Sequence, residues 1–376
     1  MLWLHENPGP DSVRETWSRT DIRGGLDMRK VEDARFADFD RDGRLDAVVS
    51  ATENRSEKVG IHWLTAQSSV HDASAWSGNW LVPEVRYQFI KLALGQIDGR
   101  NGEDIVVGSK SDNKPARLIW YQSPLNPNPG NLDQWRAHEV ATIGWVDSVD
   151  ILDVNGDGRP DILMNYKHHL AWYENPGDGA DNSQHWVEHM ISTSSGSYYA
   201  RCNGAESAPA ALRLVVGADI AVSAVGDAIL WSVSKELDEK DRWTGRWLQH
   251  SIKSTDVVPR DPEHEDYAIK SIACGNLDGD DRPDIVVSTS GRGHGVFALM
   301  NMRAGNLEQT LEMQVIASAT YNSYKGIKHD DVRLADVDLD GDLDIVTTEE
   351  NGSRTAWWST RGLGLIWYEN TGSAAH

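Results

Sequence analysis

Asp336-Val-Asp338-Leu-Asp340-Gly341-Asp342-Leu-Asp344, running straight into Ile345-Val-Thr347, decides the fold of this 376-residue chain. Oxygen-bearing side chains alternate through a glycine-containing loop, a further aspartate closes it, and a β-branched strand begins at once. The pattern returns as Asp38-Phe-Asp40-Arg-Asp42-Gly43-Arg-Leu-Asp46, Asp153-Val-Asn155-Gly-Asp157-Gly158-Arg-Pro-Asp161 and Asn276-Leu-Asp278-Gly-Asp280-Asp-Arg-Pro-Asp284, with weaker copies ending at Asp104 and Asp219. The closing aspartates 46, 104, 161, 219, 284 and 344 are spaced by 58, 57, 58, 65 and 60 residues. Spacing this even means stacked copies of one supersecondary unit.

Each copy carries the same further landmarks. A short apolar strand precedes the loop, as in Val332-Arg-Leu334, and a run such as Asp104-Ile-Val-Val107 follows it. A third strand bears a tryptophan signature at Trp63, Trp120, Trp172, Trp231 and Trp367, and a fourth opens on Trp80, Trp135, Trp186 or Trp247. Four short strands per repeat, joined by Gly, Pro, Asn and Asp turns, make one blade of a β-propeller. The expectation is an all-β chain forming a single β-propeller domain over residues 1–376, with blades at about 28–85, 88–142, 144–192, 193–254, 267–318 and 325–372. The count is six blades, with seven as the alternative. Leu2-Trp3 repeats the third-strand signature and Trp17 to Ile22 the fourth, while the last blade stops after Trp367-Tyr-Glu-Asn370. The strand around Trp17 is therefore expected to complete the last blade and remove its open edge.

At these residues the chain resembles the FG-GAP/VCBS repeat family, which includes the integrin α-subunit propeller. The resemblance spans roughly residues 28 to 372. It implies a propeller and an extracellular or periplasmic setting. It leaves function open, because the family holds adhesion modules, lectins and propeller domains of carbohydrate lyases and dehydratases.

A net charge of −22 argues against a nucleic-acid groove and an anionic membrane surface. No apolar run has transmembrane length, and no charged-then-apolar leader precedes Trp3. Cys202 and Cys274 are the only cysteines, so a disulfide framework is not expected.

Oxygen ligands at positions 1, 3 and 5 of a tight loop, with a later carboxylate to close the shell, follow the hard-cation logic of calcium. Three to four Ca2+ sites are expected: Asp38, Asp40, Asp42 and Asp46; Asp153, Asn155, Asp157 and Asp161; Asn276, Asp278, Asp280 and Asp284; and Asp336, Asp338, Asp340 and Asp344. The family resemblance adds a backbone carbonyl from position 7. The third loop is the weakest of the four, because Asp281 replaces the glycine. Arg100 stands in the position-5 slot of the loop ending at Asp104, and the copy ending at Asp219 has lost the pattern, so neither is expected to bind calcium. The competing reading is a set of Asp-rich turns held by their own hydrogen bonds.

Ligand groups are expected on the opposite face, which carries the loops from second to third strand and from fourth strand to the next blade. Candidate acid–base groups there are Tyr166, His168, His169, Tyr267, His294, His329 and Arg354. Candidate ligand-binding residues are Trp145, Asp147, Lys167, Arg201, His264, Lys270, Asp331, Glu350 and Trp357, with Lys110 on the same rim. Some of the histidines have the chemistry for an additional divalent metal in the channel. Residues 192–213 replace the regular approach to the fourth blade and are read as a lid carrying Tyr198, Tyr199 and Arg201. Eleven of the sixteen tryptophans are absorbed by blade packing, and Trp76 and Trp243 are assigned to loops on the calcium side. His138, His189 and His250 recur at one blade position and read as structural.

No nucleophile motif, phosphate loop or dinucleotide fingerprint occurs. The reading is calcium-stabilised recognition of a carbohydrate or other small ligand. The alternatives are a polysaccharide lyase or keto-sugar dehydratase using the same face, and a protein-binding module.

Overall fold

The computed structural model describes residues 2–53, 59–84, 88–110, 115–128, 132–166, 169–192, 199–201, 214–217, 230–240, 242–254, 269–280, 282–289, 295–301, 308–318, 328–350 and 364–372, some of them by backbone alone. Among these the only helical elements are three short 3-10 turns; everything else regular is strand.

A two-stranded ribbon comes first, β1 (Trp3–His5) with β2 (Arg19–Asp21). Three antiparallel four-stranded meanders follow: β3 (Met28–Ala37), β4 (Asp46–Glu53), β5 (Val59–Ala66) and β6 (Trp76–Glu84); β7 (Gln88–Gly95), β8 (Asp104–Lys110), β9 (Ala116–Gln122) and β10 (Arg136–Ile143); β11 (Val146–Leu152), β12 (Asp161–Tyr166), β13 (His169–Glu174) and β14 (Val187–Ser192). Next come β15 (Tyr199–Arg201), β16 (Leu214–Gly217), β17 (Leu230–Leu237) and β18 (Trp243–Ser254), then β19 (Ile269–Gly275), β20 (Asp284–Thr289), β21 (Gly295–Met300) and β22 (Glu308–Ser318). The last sheet has three strands, β23 (Lys328–Ala335), β24 (Asp344–Glu350) and β25 (Leu365–Tyr368).

Two compact units divide the chain, Met1–Pro8 with Ser12–Ile191 and Gly9–Asp11 with Ser192–His376. In the first, the leading strands β3, β7 and β11 pack in succession; in the second, β15, β19 and β23 do the same. Meanders stacked through their first strands are the blades of a β-propeller. Strand alternation explains why the second strands read as unbroken apolar runs. Ala47, Val49 and Ala51 join the core beneath the ribbon, whereas Val48 faces the core shared with the second blade. Ile105 and Val107 in turn face the first blade, and Val106 the third. A strand buried on both sides carries no polar face.

The expected count of six separate blades is not met by the described residues. Five blade sheets lie beside the ribbon, because β18 pairs in parallel with β22, Ser251–Ser254 against Glu308–Leu311, and merges the fourth and fifth meanders into one eight-stranded sheet.

The N-terminal strands, expected to complete the last blade, pair with each other among the described residues. β2 pairs with β1, Trp3 opposite Asp21, as a fourth strand pairs with a third. Leu2, Leu4 and Ile22 of this ribbon bury against the first blade. Gly24, in the left-handed region at φ +59, accepts a backbone bond from Gly78 on β6; a Cβ on Gly24 would lie 2.2 Å from the Gly78 nitrogen. Close backbone approach therefore fixes the ribbon's exit onto β6.

Two sequence assignments move. Trp76 is not in a loop: it follows the 3-10 turn Ala73–Ala75 and opens β6, just as Trp135 and Trp186 follow the turns Leu132–Gln134 and Ser183–His185. Its indole donates to the Val70 carbonyl at 3.0 Å, and that of Trp186 to Ala180 at 2.9 Å, six residues back in both cases. Trp243 likewise begins β18 rather than lying in a loop. Cys274, on β19, is disulfide-bonded, against the expectation from the cysteine count; Cys202 lies outside the described residues.

Candidate functional site

Blade topology places the acidic loops at one edge of the sheets, between first and second strands. In each loop the first side chain folds back over the turn. Asp38 accepts from the Asp42 and Gly43 amides at 3.0 and 2.9 Å, Asp153 from Asp157 and Gly158 at 3.1 and 2.8 Å, and Asp336 from Asp340 and Gly341 at 3.1 and 3.2 Å. Asn276 instead accepts from Gly279. The fourth loop position is left-handed in every described copy: Arg41, Gly99, Gly156, Gly279 and Leu339 all have φ between 60 and 82°. For Arg41 and Leu339 this conformation costs roughly 1 kcal/mol or more.

Carboxylate oxygens of Asp38, Asp40 and Asp42 gather within 4.8 Å of one another, and so do those of Asp336, Asp338 and Asp340. Burial, followed by the neighbouring Asp42 charge, raises the pKa of Asp40; burial and then Asp340 raise Asp338. Arg44 and Arg159 pair with Asp42 and Asp157 and also donate to the Ala66 and Asn175 carbonyls. In the last loop that arginine is replaced by Asp342, which burial and the Asp340 and Asp344 charges push up to about 6. This loop therefore carries the densest uncompensated negative charge of the set.

The closing aspartates have a role that spacing did not reveal. Asp46, Asp104, Asp161, Asp284 and Asp344 are all buried, at most 1% exposed. One oxygen of each accepts the amide of the second loop residue: Phe39, Ile97, Val154, Leu277 and Val337 at 2.7–3.1 Å. In the last four the other oxygen accepts from a residue one or two positions past the third strand, Ser123, Asn175, Asn301 or Asn370, at 2.6–2.8 Å. Each of these four is thus a pin between the loop and the chain leaving the third strand. Burial pushes Asp46 and Asp161 up to about 6 and Asp104 to about 7, opposed by these same bonds.

The loop ending at Asp104 is held without a third carboxylate. Gln96 donates to the Gly102 carbonyl at 2.5 Å and Gln122 to Asp98 at 2.5 Å. Arg41, reaching across from the first loop, donates to the Asn101 carbonyl.

At the opposite edge of the first unit, three successive blades bring unlike side chains together. The first strands β7, β11, β19 and β23 each begin with a register shift, between Phe89 and Lys91, Val146 and Ser148, Ile269 and Ser271, and His329 and Asp331, so one extra residue bulges in each. In the first blade the shift lies between Arg29 and Asp33 and holds Glu32. Glu32 accepts from Gln88 and, at 3.0 Å, from the Lys110 ammonium. The same ammonium lies 5.3 Å from the Trp145 ring centroid, a cation–π contact. Asp147 is the bulged residue of β11, two positions beyond Trp145. Glu32 and Gln88 escaped the sequence reading: Glu32 sits in a bulge inside a strand, which leaves no periodicity break that one copy can reveal, and Gln88 is a single polar residue at the start of β7.

Other candidate residues fall differently. Tyr166 is 9% exposed in the core between the second and third blades, its hydroxyl donates to Glu188, and burial raises its pKa. A phenol so placed is a poor general base. His169 packs edge-on against it at 5.2 Å. His329 lies within β23, 2% exposed, with Nδ1 2.9 Å from Thr347 Oγ1 and Nε2 3.4 Å from the Tyr368 hydroxyl; it is a core histidine rather than a loop group. Asp331 accepts from Ser271 at 2.6 Å and pairs with Arg333. Lys270 is the bulged residue of β19. Lys167, His168, His264, Tyr267, His294, Arg354 and Trp357 lie outside the described residues, as does most of the segment read as a lid, and Arg201 and Glu350 are described by backbone alone. His138 and His189 stack on Trp120 and Trp172 at 4.6 and 4.3 Å, as structural residues do.

No protein-family description matches this chain, and no curated protein does. Solved structures resembling it include a lectin of Agrocybe aegerita described as recognising non-reducing terminal N-acetylglucosamine, at 14% identity and TM-score 0.49 over 92% of this chain and 81% of that one. A second is NanB bound to Optactamide, at 9% identity and TM-score 0.47 over 93% and 67% of the two chains. A third is a GH62 hydrolase with xylotriose, at 9% identity and TM-score 0.37 over 74% and 88%.

Proposed function

We propose that this chain is a calcium-stabilised β-propeller of the FG-GAP/VCBS type that recognises carbohydrate at the blade edge opposite its acidic loops. The observation carrying this reading is the contrast between the two edges. Groups at the loop edge repeat from blade to blade, as structural elements must. The opposite edge of the first unit collects Glu32, Gln88, Lys110 and Trp145, a set not reproduced elsewhere among the described residues. Mixed charge, amide and indole in one place suit a polar ligand with apolar faces.

Calcium is supported by the gathered oxygens of the first and last loops and by the raised pKa of their carboxylates, which a cation would relieve. Asp153, Asn155 and Asp157 would hold a further ion, and Asn276, Asp278 and Asp280 a weaker one. The closing aspartates 46, 161, 284 and 344 would complete these shells through the second lone pair of an oxygen that already accepts an amide. The Cys274 disulfide suits an extracellular or periplasmic setting. The buried placement of Tyr166 and His329 gives no support to a lyase or dehydratase built on them.

Mass spectrometry of a mixed oligosaccharide library incubated with calcium-loaded protein tests this reading. Retention of glycans at unchanged mass is the expected result. Loss of water or an unsaturated cleavage product would make the protein an enzyme, and retention of nothing would refute the carbohydrate reading.

A further inference from the structure

We propose that the Glu32–Lys110 pair beside Trp145 seats a neutral pyranose, gripped through two adjacent hydroxyls. This rests on the carbohydrate reading above and narrows it to a sugar class.

Three blades of one unit build the seat. Glu32 comes from the bulged start of β3, Gln88 and Lys110 from the start of β7 and the end of β8, and Trp145 from the connection into β11. The fold does not require it. Glu32 stands fourteen residues before its closing aspartate, and the matching positions hold Ile90, Asp147, Lys270 and Asp330. Ammonium and carboxylate lie 3.0 Å apart and largely covered, at 24% and 27% exposure, so their positions are defined while water and ligand can still reach them. Gln88 donates to the same carboxylate oxygen.

The spacing matches a diol. Gauche hydroxyl oxygens on neighbouring pyranose carbons are separated by about one hydrogen-bond length, roughly 2.8–3.0 Å. One hydroxyl donates to Glu32 while its neighbour accepts from Lys110, and both bonds are charge-assisted. The Trp145 indole supplies a flat apolar surface for the C–H face of the ring.

Charge selects against acidic sugars. Glu32 cancels the Lys110 charge locally, and the chain as a whole stands at −22, so a uronate or sialate approaches against the field.

The test is an array of neutral and acidic glycans probed with the full calcium-loaded chain and with Glu32→Gln, Lys110→Met and Trp145→Ala, each checked for an unchanged melting curve. The expected result is retention of neutral pyranose-terminated glycans, weakened at least tenfold by each variant and equally by removing either hydroxyl of the bound sugar. Preference for acidic glycans, or binding undiminished by Glu32→Gln, would overturn the diol seat and leave carbohydrate recognition standing. Neutral glycans retained equally by all variants would overturn the location. A wild-type chain that retains no glycan would overturn the seat and the carbohydrate reading together.

Discussion

Asp104 shows at the residue scale how this repeat is held. Its carboxylate is wholly buried and accepts the Ile97 and Ser123 amides at 2.9 and 2.8 Å, in the one described loop expected to lack calcium. Asp104→Ala leaves two buried donors without their acceptor, each costing about 1–3 kcal/mol. Urea denaturation should accordingly show a loss of several kcal/mol, and a loss below about 1 kcal/mol would refute the pin. The same residue sets a pH dependence. Burial raises its pKa from 3.8 to about 7 in the folded chain, so between those values the folded state holds a proton that the unfolded state has released. Its contribution to stability is complete below pH 3.8 and is lost as pH rises through about 7. Comparing wild type with Asp104→Asn across pH 4 to 8 isolates the effect: wild type should lose stability relative to the variant as pH rises. The role of Asp104 was half legible. Its spacing from the other closing aspartates located it, but the bonds to Ile97 and Ser123 depend on chain folded back around it.

At the scale of elements, the third strand joins one blade to the next. Asn175, at the end of the Trp172-Tyr-Glu-Asn run, donates from its side chain to the Pro160 carbonyl and, in the preceding blade's loop, to the Ile97 carbonyl, both at 2.8 Å. Asn370 repeats this with Leu343 at 3.2 Å and Leu277 at 2.7 Å. Asn175→Ala should therefore destabilise the first unit by about 1–3 kcal/mol and raise hydrogen exchange in both loops it bridges; exchange confined to its own blade would contradict the latch. The signature announced the strand, since a buried indole and a β-branched neighbour suffice to mark it. What misled was local. Trp76 and Trp80 both lie on β6, and only the 3-10 turn before Trp76 shows which one matches Trp135 and Trp186. The His329 segment read as a loop because its charged residues Lys328, Asp330 and Asp331 mask a strand whose bulge reverses the alternation. The pairing of β18 with β22 has no sequence signal, because it joins outer strands about sixty residues apart through backbone alone.

For the whole molecule, the described acidic loops divide into those expected to need a cation and one that does not. The loop ending at Asp104 is closed by Gln96, Gln122 and Arg41. The loops at Asp38–Asp42 and Asp336–Asp340 gather carboxylates that repel one another. Calcium removal should therefore speed amide exchange at residues 38–46 and 336–344 while leaving 96–104 protected, and uniform exchange across all three would contradict this division. The most direct measurement is calorimetric melting in saturating calcium and in EGTA, for wild type and for Asp336→Asn/Asp338→Asn/Asp340→Asn. Each occupied site should add about 2.7 kcal/mol at a free calcium concentration about 100 times its dissociation constant. The account predicts a melting temperature that falls in EGTA, recovers on adding calcium, and depends less on calcium in the triple variant. Identical melting of the wild type in calcium and in EGTA would contradict it, and would reduce the repeated Asp-x-Asp-x-Asp loops to hydrogen-bonded turns.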